Sequence, residues 1–187
     1  MTHAVRTLLV AALLVGAATL LSACTGSSSV APGGVVEWRE LTIDLPDGWV
    51  ETNRTGTSLS VGDGPGSTEP GERGELYALT QLTIEPGTTA DDWRTFVEEQ
   101  DATLERDTRT EVGTLPATLI QYSFTTNGIP TRERVVVVAS RDLVLLQQPV
   151  PMQGDTEGPA WFDEHLDEFD ALLEGIRFGA PEDYLED

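Results

Sequence analysis

The chain has 187 residues, and 32 acidic residues against 11 basic ones give it a net charge of −21. So acidic a chain repels phosphate backbones, which argues against a nucleic-acid partner, and its length allows one domain plus a leader. The plain reading of the acidity is solubility; an acidic face for a cationic partner or metal ion is the other.

The N-terminus carries Arg6 and then a stretch, Thr7–Leu21, that is apolar or small throughout. This is the length of a secretory leader's apolar region and short for a helix crossing about 30 Å of hydrocarbon. Leu21-Ser22-Ala23-Cys24 follows and holds the chain's one cysteine. The run resembles a bacterial lipobox, which implies that residues 1–23 are a signal peptide and that the Cys24 thiol receives a diacylglyceryl group. A thiol supplies the nucleophile for a thioether, and two acyl chains hold a protein at a membrane where one holds it marginally. Export and anchoring on the outer face of the cell membrane are therefore expected, through acyl chains on Cys24. The small residues Thr25–Gly34 complete a tether, residues 24–34, with a mean reach of about 17 Å. No cysteine remains beyond Cys24 to form a disulfide within the chain.

Residues 35–181 read as the folded domain. Val36–Leu45 alternates like one half-buried strand, and Pro46-Asp47-Gly48-Trp49 has turn chemistry. Leu59–Val61 reads as a short strand, Gly62–Gly74 as a long loop and Glu75–Glu85 as a strand. Thr89-Ala90-Asp91-Asp92 has the pattern of a capping box, followed by a helix over Ala90–Leu104 with Trp93, Phe96, Val97 and Leu104 on one face. Strands are expected at Thr110–Leu115 and Ala117–Thr125, with a hairpin turn at Asn127-Gly128. The four consecutive valines in Arg132–Ser140 predict a strand covered on both faces. Arg141-Asp142 should turn into a strand over Leu143–Val150. Pro159 opens a second helix striped by Phe162, Leu166, Phe169, Leu172 and Leu173; Gly175 ends it, and Ile176–Phe178 makes a last strand. The acidic residues 182–187 read as a tail. The expected fold class is α+β: a mainly antiparallel sheet flanked by two main helices.

That order of elements resembles the PsbP-like α/β sandwich, and in particular the LpqN-type lipoproteins of actinobacteria. The residues that carry the resemblance are Leu45-Pro46-Asp47-Gly48-Trp49, the hairpin at Asn127-Gly128 with Arg132 and Arg134 after it, and Glu174-Gly175-Ile176-Arg177-Phe178. The resemblance covers Val35–Phe178. It implies a binding or accessory role in the cell envelope and supplies no catalytic signature.

The residues themselves show no catalytic set. Gly56-Thr57-Ser58-Leu59-Ser60 lacks the last glycine and the helix of a nucleophile elbow. Gly62-Asp63-Gly64-Pro65-Gly66 is glycine-rich, but no helix follows to hold a phosphate. His165 sits among acids; it lacks a second histidine at helical spacing for a metal site, and a solvated helix face is the favoured reading over a general base. Arg132 and Arg134 share a strand face and could bind a carboxylate or phosphate, with Arg109 on a neighbouring strand, although pairing with the many acids is the better account. No cofactor and no metal ligand set is therefore expected, and the ligand-binding residues are not specified. The expected function is a non-catalytic, membrane-anchored binding or accessory domain for a small molecule, a lipid precursor or a partner protein. The alternatives are an envelope hydrolase and a structural subunit of a secretion or transport complex.

Overall fold

A computed structural model describes residues 33–63, 76–126, 128–151 and 158–179. The leader, Cys24, most of the tether, most of the Gly62–Gly74 stretch, Asn127 and the acidic tail lie outside the described residues.

The first expected strand is two: β1 (Val35–Trp38) and β2 (Leu41–Asp44) form a tight hairpin with Trp38 opposite Leu41. The chain reverses at Arg39, which takes a left-handed φ of 53°. Only glycine, asparagine and aspartate signal such a conformation in a sequence, so an arginine there hides the turn. After the Pro46–Trp49 turn come β3 (Val50–Arg54), which the sequence reading passes over, then β4 (Ser58–Gly62) and β5 (Leu76–Ile84).

The first helix, α1 (Ala90–Glu99), begins as the capping box requires: the Thr89 amide donates to Asp92 Oδ2 at 2.9 Å, and the Thr89 side chain accepts from the Asp92 amide. It stops five residues before its expected end. Asp101 adopts φ 53°, the Ala102 amide reaches back to the Val97 carbonyl at 3.1 Å and the Asp101 amide to that of Glu98 at 3.3 Å. These two bonds are a Schellman motif, in which the left-handed position is usually glycine. Leu104 therefore lies in a strand, 47% exposed, and not on the helix. Thr89→Ala should cost about 1 kcal/mol; amide exchange in α1 should accelerate more than in the sheet if that cap stabilises the helix.

The strands β6 (Thr103–Val112), β7 (Leu115–Thr126), β8 (Ile129–Val138) and β9 (Leu143–Pro151) follow as a meander, with a short 3₁₀ turn at Ala139–Arg141 before β9. The last elements are α2 (Gly158–Glu164), α3 (Leu166–Gly175) and β10 (Ile176–Phe178). The strands form a seven-stranded sheet in the order β3-β4-β5-β9-β8-β7-β6 and a three-stranded sheet in the order β1-β2-β10. Every pairing is antiparallel. The α+β architecture expected from the sequence is the observed one.

The large sheet has a hydrophobic layer on each face. Val135 and Val137 point to the side covered by α1, with Ile120, Tyr122, Trp93 and Phe96. Val136 and Val138 point to the other side, covered by Phe162, Phe169, Leu172 and the small sheet. The two-residue period of a strand distributes the four valines between those layers. The small sheet is closed by β10 on β2, where the Arg177 guanidinium binds the Asp44 carboxylate, with Nη2 2.8 Å from Oδ1.

The expected single C-terminal helix is broken at His165. In an unbroken helix the His165 amide would bond the Trp161 carbonyl. Here the His165 ring occupies that carbonyl, with Nδ1 2.8 Å from it, and the amide turns to the Phe162 carbonyl at 3.3 Å. The break bends the arm so that Phe162 and Phe169 both reach the core, with ring centres 5.2 Å apart.

Candidate functional site: an Asp63–His165–Glu168 cluster

Three distant segments meet on the helical-arm side of the large sheet. The first is the end of β4. A side chain at Gly62 would meet the Ala78 carbonyl oxygen at 2.3 Å, so glycine is what lets β4 lie this close to β5. The next residue, Asp63, is then clamped: its amide donates to the Ala78 carbonyl at 3.2 Å, and its Oδ1 accepts from the Ala78 amide at 2.6 Å. The second segment is the α2–α3 break. There the His165 ring stacks on the Trp161 indole with centres 3.7 Å apart, and its Nδ1 lies on the Trp161 carbonyl. A carbonyl accepts only, so Nδ1 carries the proton and Nε2 keeps a lone pair in the neutral ring.

The third segment is the first turn of α3. Glu168 follows His165 by three residues, which puts both on one face of the arm. Its Oε2 accepts from Trp49 Nε1 at 3.0 Å. Trp49 is fully buried and meets Phe169 edge-on, with ring centres 5.9 Å apart. One ligand atom each from Asp63, His165 and Glu168 lies within 4.8 Å of the other two. Burial raises the Asp63 carboxyl above its ordinary range; the Ala78 hydrogen bond opposes that, the Glu168 charge reinforces it and His165 offsets it in part.

Arg132 and Arg134 do not join this cluster. Arg132 donates from Nη1 to Asp163 Oδ1 at 2.6 Å and from Nη2 to Glu105 Oε1 at 3.1 Å. Arg134, 1% exposed, donates from Nε to Gln147 Oε1 at 2.6 Å and pairs through Nη1 with Asp170 Oδ1 at 2.8 Å. Gln147 in turn donates to the Phe169 carbonyl at 3.1 Å. Both arginines thus fasten the helical arm to the sheet, and the Arg134 network holds the backbone beside Glu168. Pairing with acids was the expected account of both; the structure adds that the partners are mostly on the arm. Arg109 lies apart from them, in a cleft of about 530 Å³ that Arg106, Asp170 and Glu174 also line.

His165 does not sit on a solvated helix edge. It is partly buried at a helix break, and the groups described around it are two carboxylates, an indole and a carbonyl. Such a set can bind a cation or exchange a proton. The sequence alone predicts no metal ligand set, and neither Asp63 nor Glu168 stands out in it as a ligand. The His-x-x-Glu spacing at 165 and 168 was legible, but Asp63 stood in a glycine-rich stretch a hundred residues earlier.

No described protein family matches the chain, and no curated protein matches it. Among solved structures it is similar to the cyanobacterial PsbP (CyanoP) of Synechocystis sp. PCC 6803, at 12% identity over 84% of this chain and 98% of that one, with a TM-score of 0.49. It is also similar to a protein of Bacteroides thetaiotaomicron VPI-5482, at 13% identity over 82% of this chain, with a TM-score of 0.43; the match spans 48% of that protein's length. A Pseudomonas aeruginosa protein of unknown function, PA94, matches at 14% identity over 77% of this chain and 95% of its own, with a TM-score of 0.43. A PsbP thus stands among the structures similar to this sandwich, and likeness at this level assigns neither a site nor an activity.

Proposed function

We propose that this chain is a lipid-anchored protein of the cell envelope, of the LpqN type, whose folded domain is a non-catalytic binding module centred on Asp63, His165 and Glu168. The observation that supports the binding centre is convergence with outside support. Each of the three side chains is held by a partner that does not belong to the cluster: the Ala78 amide, the Trp161 carbonyl and the Trp49 indole. Supporting hydrogen bonds of this kind fix donor groups toward a ligand. The non-catalytic reading rests on the sequence, in which Gly56-Thr57-Ser58-Leu59-Ser60 falls short of a nucleophile elbow.

Anchoring rests on Leu21-Ser22-Ala23-Cys24. Among the described residues no helix is long and apolar enough to cross a membrane. Cys24→Ala should move the chain from the detergent phase to the aqueous phase on phase partition, or leave it with its leader uncut. A variant that stayed in the detergent phase with its leader removed would overturn the anchor. The binding reading is tested by native mass spectrometry of the full chain purified in detergent from its own envelope. A copurifying mass, metal or organic, should be present and should be lost from a double variant, Asp63→Asn with Glu168→Gln. An adduct that persists in the double variant, or none in either protein, would sink it.

A further inference from the structure

We propose that Asp63, His165 and Glu168 bind one divalent first-row transition ion, of the class of Zn²⁺ and Mn²⁺, with coordination positions left open to water or an incoming ligand. The proposal rests on the binding reading above and names the ligand class for it. The donor set decides the class. One imidazole nitrogen and two carboxylate oxygens suit borderline ions, whereas Ca²⁺ takes six to eight oxygens and Mg²⁺ keeps an octahedron of oxygen and water. Three protein ligands complete neither a tetrahedral nor an octahedral shell, which is the arrangement of open metal sites.

The distances fit with a small adjustment. Donor atoms about 2.1 Å from a shared ion at a tetrahedral angle lie about 3.4 Å apart. The three atoms here lie within 4.8 Å of one another, so closing on an ion takes movement of about an ångström. Two carboxylates brought to one partly buried place repel each other, and a dication between them reverses that sign.

The outer contacts are those a metal site needs. Metal-binding histidines generally donate their second ring N–H to a carbonyl or carboxylate, and metal-binding carboxylates are themselves hydrogen-bonded. His165 places Nδ1 on the Trp161 carbonyl, Glu168 accepts from the Trp49 indole and Asp63 accepts from the Ala78 amide. Beyond those contacts, His165 has Nε2 and each carboxylate a second oxygen to offer an ion.

The test uses the full chain in detergent, stripped with a chelator and titrated with ZnCl₂ or MnCl₂, with CaCl₂ and MgCl₂ alongside. Calorimetry gives the stoichiometry, and tryptophan emission reports the site itself, because Trp161 stacks on His165 and Trp49 bonds Glu168. We expect saturable binding of one equivalent of Zn²⁺ or Mn²⁺ and at least tenfold weaker binding of Ca²⁺ and Mg²⁺. Asp63→Asn and Glu168→Gln should each weaken the transition ion at least tenfold. Both substitutions preserve an oxygen that accepts from Ala78 or Trp49, so near-ultraviolet circular dichroism should stay native; His165→Gln decides the matter if either variant misfolds. No saturable one-equivalent binding, or unchanged affinity in the variants, would overturn the proposal, the latter because the ion would then sit elsewhere on an acidic surface. If metal binding fails while an organic mass copurifies and depends on Asp63 and Glu168, the binding reading stands and the metal alone is refuted. If both fail, both readings fall.

Discussion

Trp49→Ala should destabilise the domain by about 3–5 kcal/mol, the range for removing a large aromatic side chain from a packed core. Trp49 has no exposed surface and is among the largest fully buried side chains in the molecule. Its ring lies edge-on to Phe169, and its indole N–H is 3.0 Å from Glu168 Oε2. The substitution leaves a cavity between the Pro46–Trp49 turn and α3 and takes a donor from a carboxylate. A shift of about 6–20 °C in melting temperature follows for a domain of this size. Urea unfolding followed by circular dichroism measures it, and a loss under 1 kcal/mol would mean that the turn is not part of the core. Trp49→Phe separates the two roles of the residue. It retains most of the packing and drops the N–H, so stability should fall by about 1–2 kcal/mol. Affinity for Zn²⁺ or Mn²⁺ should fall about tenfold to a hundredfold, as for other outer partners of metal ligands.

Glu133→Gln should stabilise the domain at pH 8 by about 2–3 kcal/mol and change nothing at pH 4.5. Glu133 lies on the α1 side of β8, where the Tyr122 hydroxyl donates to its Oε2 at 2.7 Å. Desolvation pushes its carboxyl up to about 7 from an ordinary 4.5, and the Tyr122 hydrogen bond only partly opposes the rise. A folded-state pKa above the unfolded one means that the folded protein holds its proton more tightly. The stability this confers is fully present below pH 4.5 and is lost as the pH rises through 7. Glutamine keeps an acceptor for Tyr122 and has no proton to lose. The difference between the two proteins should therefore open between pH 5 and pH 8, and parallel pH profiles would refute the raised carboxyl. Three carboxylates have the opposite sign. Asp44 and Asp107 are held below their ordinary range chiefly by hydrogen bonds from Arg177 and Arg94. Glu105 is lowered despite burial, by hydrogen bonds that include those from Gln121 and Arg132. Their effects lie at lower pH and cancel in a comparison of the two proteins.

The same local physics explains which elements the sequence announced. The Thr89–Asp92 capping box, the four valines of β8 and the alternation of Ile120, Tyr122 and Phe124 on β7 depend on residues a few positions apart, so their pattern is complete in a short window. The hairpin between β7 and β8 was marked by its glycine, and Gly128 does take a left-handed φ of 81°. At Arg39 the left-handed residue is of a type that carries no such mark, and at Asp101 the apolar spacing that runs on to Leu104 masks it. The alternation of Val36–Leu45 therefore spans two strands, and the helical spacing overruns the end of α1.

The Thr89 cap, the helical and strand periodicities and the turns between β7, β8 and β9 were thus determined by neighbouring residues. The tertiary structure decided the site. Asp63 reaches Glu168 and His165 because β4 packs on β5 through Gly62, because α2 crosses β5, β8 and β9, and because a ring on its own helix's carbonyl breaks the arm at His165. The driving force for that convergence is the burial of Trp49, Phe162 and Phe169 in one core. Hydrophobic burial has no direction of its own and acts between residues a hundred positions apart. Polar groups near that core are carried along with it, and their meeting leaves no periodic trace in the chain.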